Sequence, residues 1–471
     1  MKSPFSAPRG IGSGCAAGLL TILAACSGSD GGGGDGSAIA ASCAEPARKQ
    51  FVLDSVDSWY LFPDLLPETV NPGDFETAEE LLDHLTATAR EQGKDRNFSY
   101  LTTRQEDDAL LDDGRYPGFG FRRRIDSDDR IFIVDVFEFS PAAEARLGRG
   151  DEIVAIDSGD GFVAVADLLS EDTLPGDLFG DREEGVSRGL RVRRGTDVLE
   201  VELTKRLIAI DPIPDDQGIR ILPLQGTTGV GYLNLRAYSA TAAAELSDAF
   251  EGFRSQNIDY YIVDLRYNGG GLVNVAELMN NLLGGGRSRS DLQFRYIFNP
   301  KRSSEDTAVF FDPLRESVRP VRITFLTTDV TLSASELNII SMNPWVEAAI
   351  IGGNTGGKPV GQIALDLNGC DDRLRLIAFK FENAAEDGEY FEGLADRMRF
   401  ACASEDALDY LPGDPQEAMT SAALEWLNNG ACTRPMEPTS GAPAKPTIER
   451  YRSRGRSQRS DPIEQWLPGA D

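Results

Sequence analysis

Between Gly229 and Ile351 short apolar runs alternate with amphipathic ones, and this rhythm constrains the fold more than any other feature of the chain. Strands are expected over Val230 to Leu235, Tyr260 to Leu265, Val321 to Leu326 and Ala348 to Ile351. Helices are expected between them: Ala240 to Ser255, with Leu246, Ala249, Phe250 and Phe253 on one face, then Val273 to Leu283, and Ala334 to Met342, stopped by Pro344. Strands that alternate with helices build a layered α/β core.

Two interruptions of that rhythm carry candidate chemistry. The first is the turn Asn268-Gly269-Gly270-Gly271 after the second strand. A tight strand-to-helix turn explains one or two glycines better than three, and backbone amides at such a turn can stabilise an oxyanion. The second is Thr331-Leu332-Ser333-Ala334-Ser335-Glu336, followed 25 residues after Ser333 by Lys358, within Gly356-Gly357-Lys358-Pro359-Val360-Gly361-Gln362. Ser333 falls at a helix N-terminus, where the dipole favours developing negative charge. The amide of Ala334 is then a second oxyanion donor. The same residues also spell a capping box, with Glu336 three residues after Ser333, so a purely structural role is open at this point.

A serine hydroxyl needs a base, and the chain contains one histidine. Lys358 is therefore the candidate base, provided burial lowers its pKa by about three units, a cost on the order of 4 kcal/mol. Gln362 can hold the amine by a hydrogen bond. Taken alone, Lys358 is equally a solvated turn residue and Gln362 a polar strand residue. The one histidine, His84, lies beside the apolar stripe of a predicted helix (Leu81, Leu82, Leu85, Ala89) and is expected at its boundary with solvent. No metal site or cofactor is expected.

Upstream, residues 114–206 form a β-rich unit. Gly118-Phe119-Gly120-Phe121 leads into a strand, Ile131 to Val136 is another, and Ser140-Pro141 opens a short helix. Gly148-Arg149-Gly150-Asp151 turns into Glu152 to Ile156, and a hairpin closes the unit about Arg194-Gly195-Thr196. This order resembles a PDZ domain. The resemblance implies that the Gly118 to Phe121 loop offers amides to the carboxylate of a peptide that adds as a strand. A small β-rich linker domain without a ligand is the alternative.

The flanks read differently. Residues 43–106 are expected to form a small helical region. Residues 1–25 have the layout of a secretory signal, and Leu23-Ala24-Ala25-Cys26 resembles a bacterial lipoprotein signal that would leave Cys26 lipidated. Residues 26–42 would be a Gly/Ser tether, with Ser27 implying outer-membrane sorting towards the periplasm. Cys43, Cys370, Cys402 and Cys432 then remain for two disulfides in any of three connectivities. Residues 434–471, rich in Pro, Ser and Arg, are expected to be disordered. With 47 basic and 76 acidic residues, a net charge of -29 disfavours nucleic acid as a partner.

Asp264-Leu265-Arg266-x-Asn268-Gly269-Gly270-Gly271, Ser333-Ala334-Ser335-Glu336 and Thr355-x-Gly357-Lys358-x-x-x-Gln362, in that order, resemble the carboxyl-terminal processing (tail-specific) serine proteases. The resemblance covers about Cys43 to Cys432 and implies a multidomain α/β fold: a ClpP/crotonase-like core over residues 207–433 with an inserted PDZ-like domain. It further implies Ser333 as nucleophile, Lys358 as base, Gln362 as its orienting partner, and Gly269, Gly270, Gly271 and Ala334 as the oxyanion hole. Substrates would be proteins or peptides with free C-termini, and an adaptor or a homo-oligomer is a further partner to consider. Pro359, where the family commonly has glycine, and Pro344, where some members carry aspartate, depart from the pattern. A non-catalytic protein binding a lipophilic ligand or a protein tail on the same core is the competing expectation.

Overall fold

The computed structural model describes residues 43–169, 176–437, 468, 470 and 471. The expected signal, Cys26 and the tether lie outside the described residues. The chain folds as a multidomain α/β protein.

Its central sheet has six strands in the order Ile219–Leu222, Val230–Asn234, Tyr260–Asp264, Arg322–Thr327, Glu347–Gly352 and Phe400–Ala403. The first pair is antiparallel and the rest are parallel. Period-two alternation assigns the two faces. Tyr261, Val263, Ile323, Phe325, Ala348 and Ile350 pack with the helices Ala242–Ser255, Val273–Leu283 and Ala334–Met342. Ile262, Leu326, Ala349 and Ile351 pack on the opposite side against Met419, Ala423 and Trp426 of the helix Ala418–Asn429. Both faces are covered, as parallel strands require. Two of the three expected helices have the anticipated bounds, and the first begins two residues later.

A second, antiparallel sheet carries Lys358 at its margin. The twelve-residue strand Asp372–Asn383 pairs with Val360–Asp366, with Leu292–Phe298 and with Tyr100–Thr103, and Leu292–Phe298 pairs with Thr307–Phe310. Val52, Val56 and Tyr60, from the helix Glu45–Trp59 and its end, join Leu81, Leu82 and Leu85, from the helix Ala78–Glu91, in covering Val360, Leu374, Leu376 and Ile377. The helical region expected over 43–106 is present as these two helices, and it also contributes a strand. Its strand Tyr100–Thr103 belongs to a sheet whose partner lies some 270 residues on, because only there do its backbone groups find a ladder. His84 is exposed, with its ring 5.0 Å from that of Phe75.

The β-rich unit has its own sheet, Phe121–Ile125, Ile131–Val136, Glu152–Asp157, Ser187–Arg194 and Asp197–Thr204, with Phe162–Ala164 paired to the third strand. Phe119, Phe121, Ile133, Ile153, Leu190 and Val192 help form its separate core. A two-stranded stalk, Arg115–Gly118 against Arg206–Ala209, joins it to the rest. Ser140 caps the short helix Pro141–Glu144 by accepting the amide of Ala143 at 3.1 Å. Arg149 reaches across to the core, 2.7 Å from Asp406, and Arg236 of the core pairs with Asp135 of the unit at 2.9 Å.

Among the described residues two disulfides form. Cys43–Cys370 ties the first helix to the Lys358 sheet, and Cys402–Cys432 ties the last central strand to the segment after the final helix. The expectation of disorder from residue 434 is corrected in two places. Arg434 and Met436 extend the ladder beyond Ala401 and Ala403, with Ala403 N donating to Arg434 O at 2.7 Å and Met436 N to Ala401 O at 2.8 Å. Ala470 and Asp471 are buried against the β-rich unit. Backbone pairing at strand edges outweighs a composition that by itself favours disorder.

Candidate active site

Ser333 stands at the N-cap of the helix Ala334–Met342 with φ 56° and ψ −116°. That conformation costs on the order of 1–3 kcal/mol for a residue with a Cβ and persists only where its surroundings enforce it. The surroundings are specific. Asn268 O accepts the Ser335 hydroxyl at 3.0 Å and the Leu332 amide at 3.3 Å, gripping the chain on both sides of Ser333. Ser333 N donates to Glu336 Oε2 at 3.0 Å. The cap geometry foreseen as the structural alternative therefore exists, and it is built around a strained serine.

The glycine turn lies directly against this serine. A Cβ on Gly270 would stand 2.8 Å from Ser333 Cβ and 2.9 Å from Ala334 N, and one on Gly271 would stand 2.3 Å from Tyr238 O. Both residues also have positive φ, 112° and 138°. Two of the three glycines are thereby accounted for by close approach and by backbone conformation. The expectation that all three amides point into an oxyanion hole is corrected at Gly270, whose N–H donates to Asn268 Oδ1 at 2.9 Å. Gly269, Gly271 and Ala334 remain as candidate donors. Ala334, as the first residue of its helix, has an amide without an intrahelical acceptor.

The turn is anchored from behind by Arg266. Its guanidinium lies 2.8 Å from Asp264, 3.0 Å from Asp406 and 3.0 Å from Glu417, all buried. Tyr232 adds a hydrogen bond of 2.7 Å to Asp264. A buried cation with three carboxylates around it is compensated rather than stranded. The cluster fixes the backbone at Asp264 and Arg266, just ahead of the Asn268 turn.

Lys358 is 2% exposed. Its amine donates to Gln362 Oε1 at 3.1 Å and lies 4.6 Å from the centre of the Phe98 ring. Gln362 in turn donates to Phe98 O. Burial lowers the Lys358 pKa to about 7, partly opposed by the negative charge of Asp95. The drop is the one a lysine base requires, and half-buried Gln362 holds the amine as anticipated. Pro359 is accommodated, its carbonyl accepting Phe381 N at 3.1 Å ahead of the strand Val360–Asp366.

Two contributors could not be read from the local sequence. Glu336 was visible only as a capping residue, yet its carboxylate also accepts Gly357 N at 2.8 Å and Lys358 N at 2.7 Å. One buried side chain thus joins the Ser333 turn to the Lys358 loop. Burial pushes its pKa up, and these donors, with the Thr355 hydroxyl, pull against that. The second contributor is the segment Asp95 to Phe98. Besides the Phe98 contacts, Arg96 donates to the carbonyls of Gly356 and Gly357. No local pattern marks that segment, because its partners lie about 260 residues downstream.

Residues 229–393 match the family model of peptidase family S41, and residues 47–100 match the peptidase S41 N-terminal domain. These two stretches are peptidase family S41 domains. Ser333, Lys358 and Gln362 fall within the first match, and Asp95, Arg96 and Phe98 within the second. The carboxyl-terminal-processing protease of Synechocystis sp. is 28% identical over 54% of this chain and 56% of its own length. The carboxy-terminal processing protease CtpA of Bacillus subtilis is 23% identical over 61% of this chain and 57% of its own length. The chain spans about half the length of the curated relatives it matches. A crystal structure from Bacteroides fragilis assigned to the S41 proteases shares the fold, with a TM-score of 0.63, 24% identity, and coverage of 81% of this chain and 97% of that one.

The expected tail-binding loop is buried in the β-rich unit. The amides of Gly120 and Phe121 both donate to Asp471 O, at 2.6 Å and 3.0 Å. A Cβ on Gly118 would stand 3.1 Å from the carbonyl carbon of Asp471, while Phe119 belongs to the unit's core. From the neighbouring strand, Arg122 donates to the carbonyls of Tyr267 and Arg236, so the loop region touches the residue just before Asn268.

Proposed function

We propose that this protein is a serine endopeptidase of the carboxyl-terminal processing type, cutting protein substrates near their C-termini. The observation that carries the reading is Lys358: a buried amine brought near neutrality, held by Gln362, on a loop that Glu336 ties to the Ser333 turn. Neutral Lys358 Nζ would take the Ser333 hydroxyl proton as Oγ attacks the scissile carbonyl carbon. The C=O π pair moves onto oxygen, and the amides of Ala334 and of Gly269 or Gly271 stabilise that charge. On collapse the C–N bond breaks, and the Lys358 ammonium returns its proton to the departing amine. A water, deprotonated by Lys358, then releases the acyl group and regenerates Ser333.

In this reading the β-rich unit is PDZ-like and captures unstructured substrate tails at the Gly118 to Phe121 loop. We further propose that Cys26 is lipidated after removal of residues 1–25, anchoring the enzyme to the bacterial envelope, at the outer membrane and facing the periplasm. The two disulfides support an oxidising compartment. A radiolabelled or clickable fatty acid should label the wild type and leave Cys26→Ser unlabelled.

The activity is tested by tail-dependent proteolysis with the soluble protein, using Ser333→Ala and Lys358→Ala as controls. Cleavage should vanish in both. Undiminished cleavage in either variant sinks the assignment of the Ser-Lys pair, and failure of a serine-directed acylating probe to label Ser333 under any condition would favour a non-catalytic binding protein.

A further inference from the structure

The loop expected to receive substrate tails is already occupied, and by this chain. Asp471 O accepts the amides of Gly120 and Phe121, and Asp471 N donates to Phe121 O at 2.8 Å. Ala470 pairs antiparallel with Arg122, which extends the sheet past its edge strand Phe121–Ile125. This is strand addition, in which main-chain bonds give affinity and side-chain pockets give selectivity.

The selectivity elements are built in. Arg123 Nε lies 2.6 Å from Asp471 Oδ2, and both side chains are almost fully buried. An arginine withdrawn from water in this way favours a carboxylate and disfavours a lysine, whose charge would be stranded beside it. Arg182 donates to Ala470 O at 2.8 Å. The methyl group of Ala470 fills a closed apolar site formed with Tyr116, Phe137, Ile208 and Ala237, which limits the residue there to a small one.

We propose that this groove selects segments in which a small residue is followed by an acidic one, and that Ala470-Asp471 is its intramolecular occupant, competing with substrate tails of the same chemistry. The inference rests on the tail-capture reading of the β-rich unit, and it adds the ligand class and a self-blocking ligand. A tethered ligand acts at an effective concentration on the order of 1 mM. For a groove that binds the free peptide at about 100 μM, the tether weakens external ligands about ten-fold.

The test is binding, read by fluorescence anisotropy of the labelled peptide Trp-Leu-Pro-Gly-Ala-Asp, on proteins carrying Ser333→Ala so that nothing is cut. Three proteins are compared: residues 43–471, the same chain lacking residues 468–471, and the 43–471 chain carrying Asp471→Lys, with unfolding curves to establish that each is folded. The shortened chain and Asp471→Lys should each bind the peptide about ten-fold more tightly than the parent. In the shortened chain, peptides ending Ala-Lys or Trp-Asp should bind at least ten-fold more weakly than Ala-Asp, and Arg123→Ala should abolish the preference for aspartate over lysine. Equal affinity in all three proteins, or no preference for Ala-Asp, overturns the proposal. Because no hydrolysis is read, this binding pattern in a protein without peptidase activity would defeat the proposed function alone. Cleavage without the pattern would defeat this inference alone.

Discussion

The buried carboxylate of Glu336 accepts the backbone amide of Lys358 at 2.7 Å, and it does so while holding the amide of Ser333 at 3.0 Å. The proposed nucleophile and base are therefore positioned by one shared acceptor, across a separation in sequence that no single turn could span.

Glu336→Gln tests that clamp. A carboxamide has one acceptor oxygen where the carboxylate has two, and its NH2 would face an amide donor. Peptidase turnover and the rate of acylation of Ser333 by a fluorophosphonate should both fall at least ten-fold. Chemical denaturation should show a loss of about 1–3 kcal/mol for the unpaired buried group.

The Lys358 amine gives two pH signatures. Turnover should rise with pH through a midpoint near 7, as the amine loses its proton. For stability the sign is the reverse of an ion-paired lysine. The folded pKa is depressed below the unfolded value of 10.5, so between about 7 and 10.5 the unfolded chain binds the extra proton. Stability should therefore rise with pH across that window. Lys358→Met should be more stable than wild type at pH 7, by up to a few kcal/mol, and the advantage should shrink towards pH 10.5. Urea unfolding at several pH values measures both slopes.

Gln362 separates positioning from bulk stability. In Gln362→Glu a carboxylate replaces the acceptor beside Lys358 Nζ and favours the ammonium form. The midpoint of the pH–rate profile should move up by about one unit or more. Gln362→Leu removes both its bond to Lys358 and its bond to Phe98 O, and kcat should drop about ten-fold with KM little changed. An unchanged pH midpoint in the glutamate variant would refute the orienting role.

Gly270→Ala places a Cβ 2.8 Å from Ser333 Cβ at a positive φ. Loss of stability of about 2 kcal/mol or more and near-complete loss of Ser333 labelling are expected. At Gly286, where the added Cβ meets nothing within 4 Å, alanine should leave both unchanged.

Reducing the Cys43–Cys370 bridge should release the helix Glu45–Trp59 from the sheet that carries Lys358. The double variant Cys43→Ala/Cys370→Ala is expected to lose about 2–4 kcal/mol of stability, seen as a lowered urea midpoint. Dithiothreitol should affect the wild type in the same direction and leave the variant's remaining bridge, Cys402–Cys432, as the one sensitive bond.

How far the sequence reaches depends on the distance over which each feature is decided. The strand and helix alternation from Val230 to Gly352 is set by side-chain period and by local breakers such as Pro344, so it was legible. Ser333, Lys358 and Gln362 stood out only through their combination and order with the Asn268 turn, because each alone also reads as a cap, a turn residue or a strand residue. The glycines of the Asn268 turn were legible as a requirement. Tertiary packing then assigned Gly270 to close contact with Ser333 and turned its amide to Asn268.

The remaining features were decided only in three dimensions. Lys358 is desolvated because the Phe98 segment lies over its amine and helices from the N-terminal region cover the strand that follows it. Glu336 becomes a clamp because the sheet brings Gly357 and Lys358 back to it. Composition marks residues 434–471 as disordered, yet the edge strand Phe121–Ile125 offers unpaired backbone groups and Arg123 a buried charge, and Ala470 and Asp471 satisfy both. Periodicity and backbone conformation are encoded within a few residues, whereas desolvation and long-range pairing exist only once distant segments share one interior.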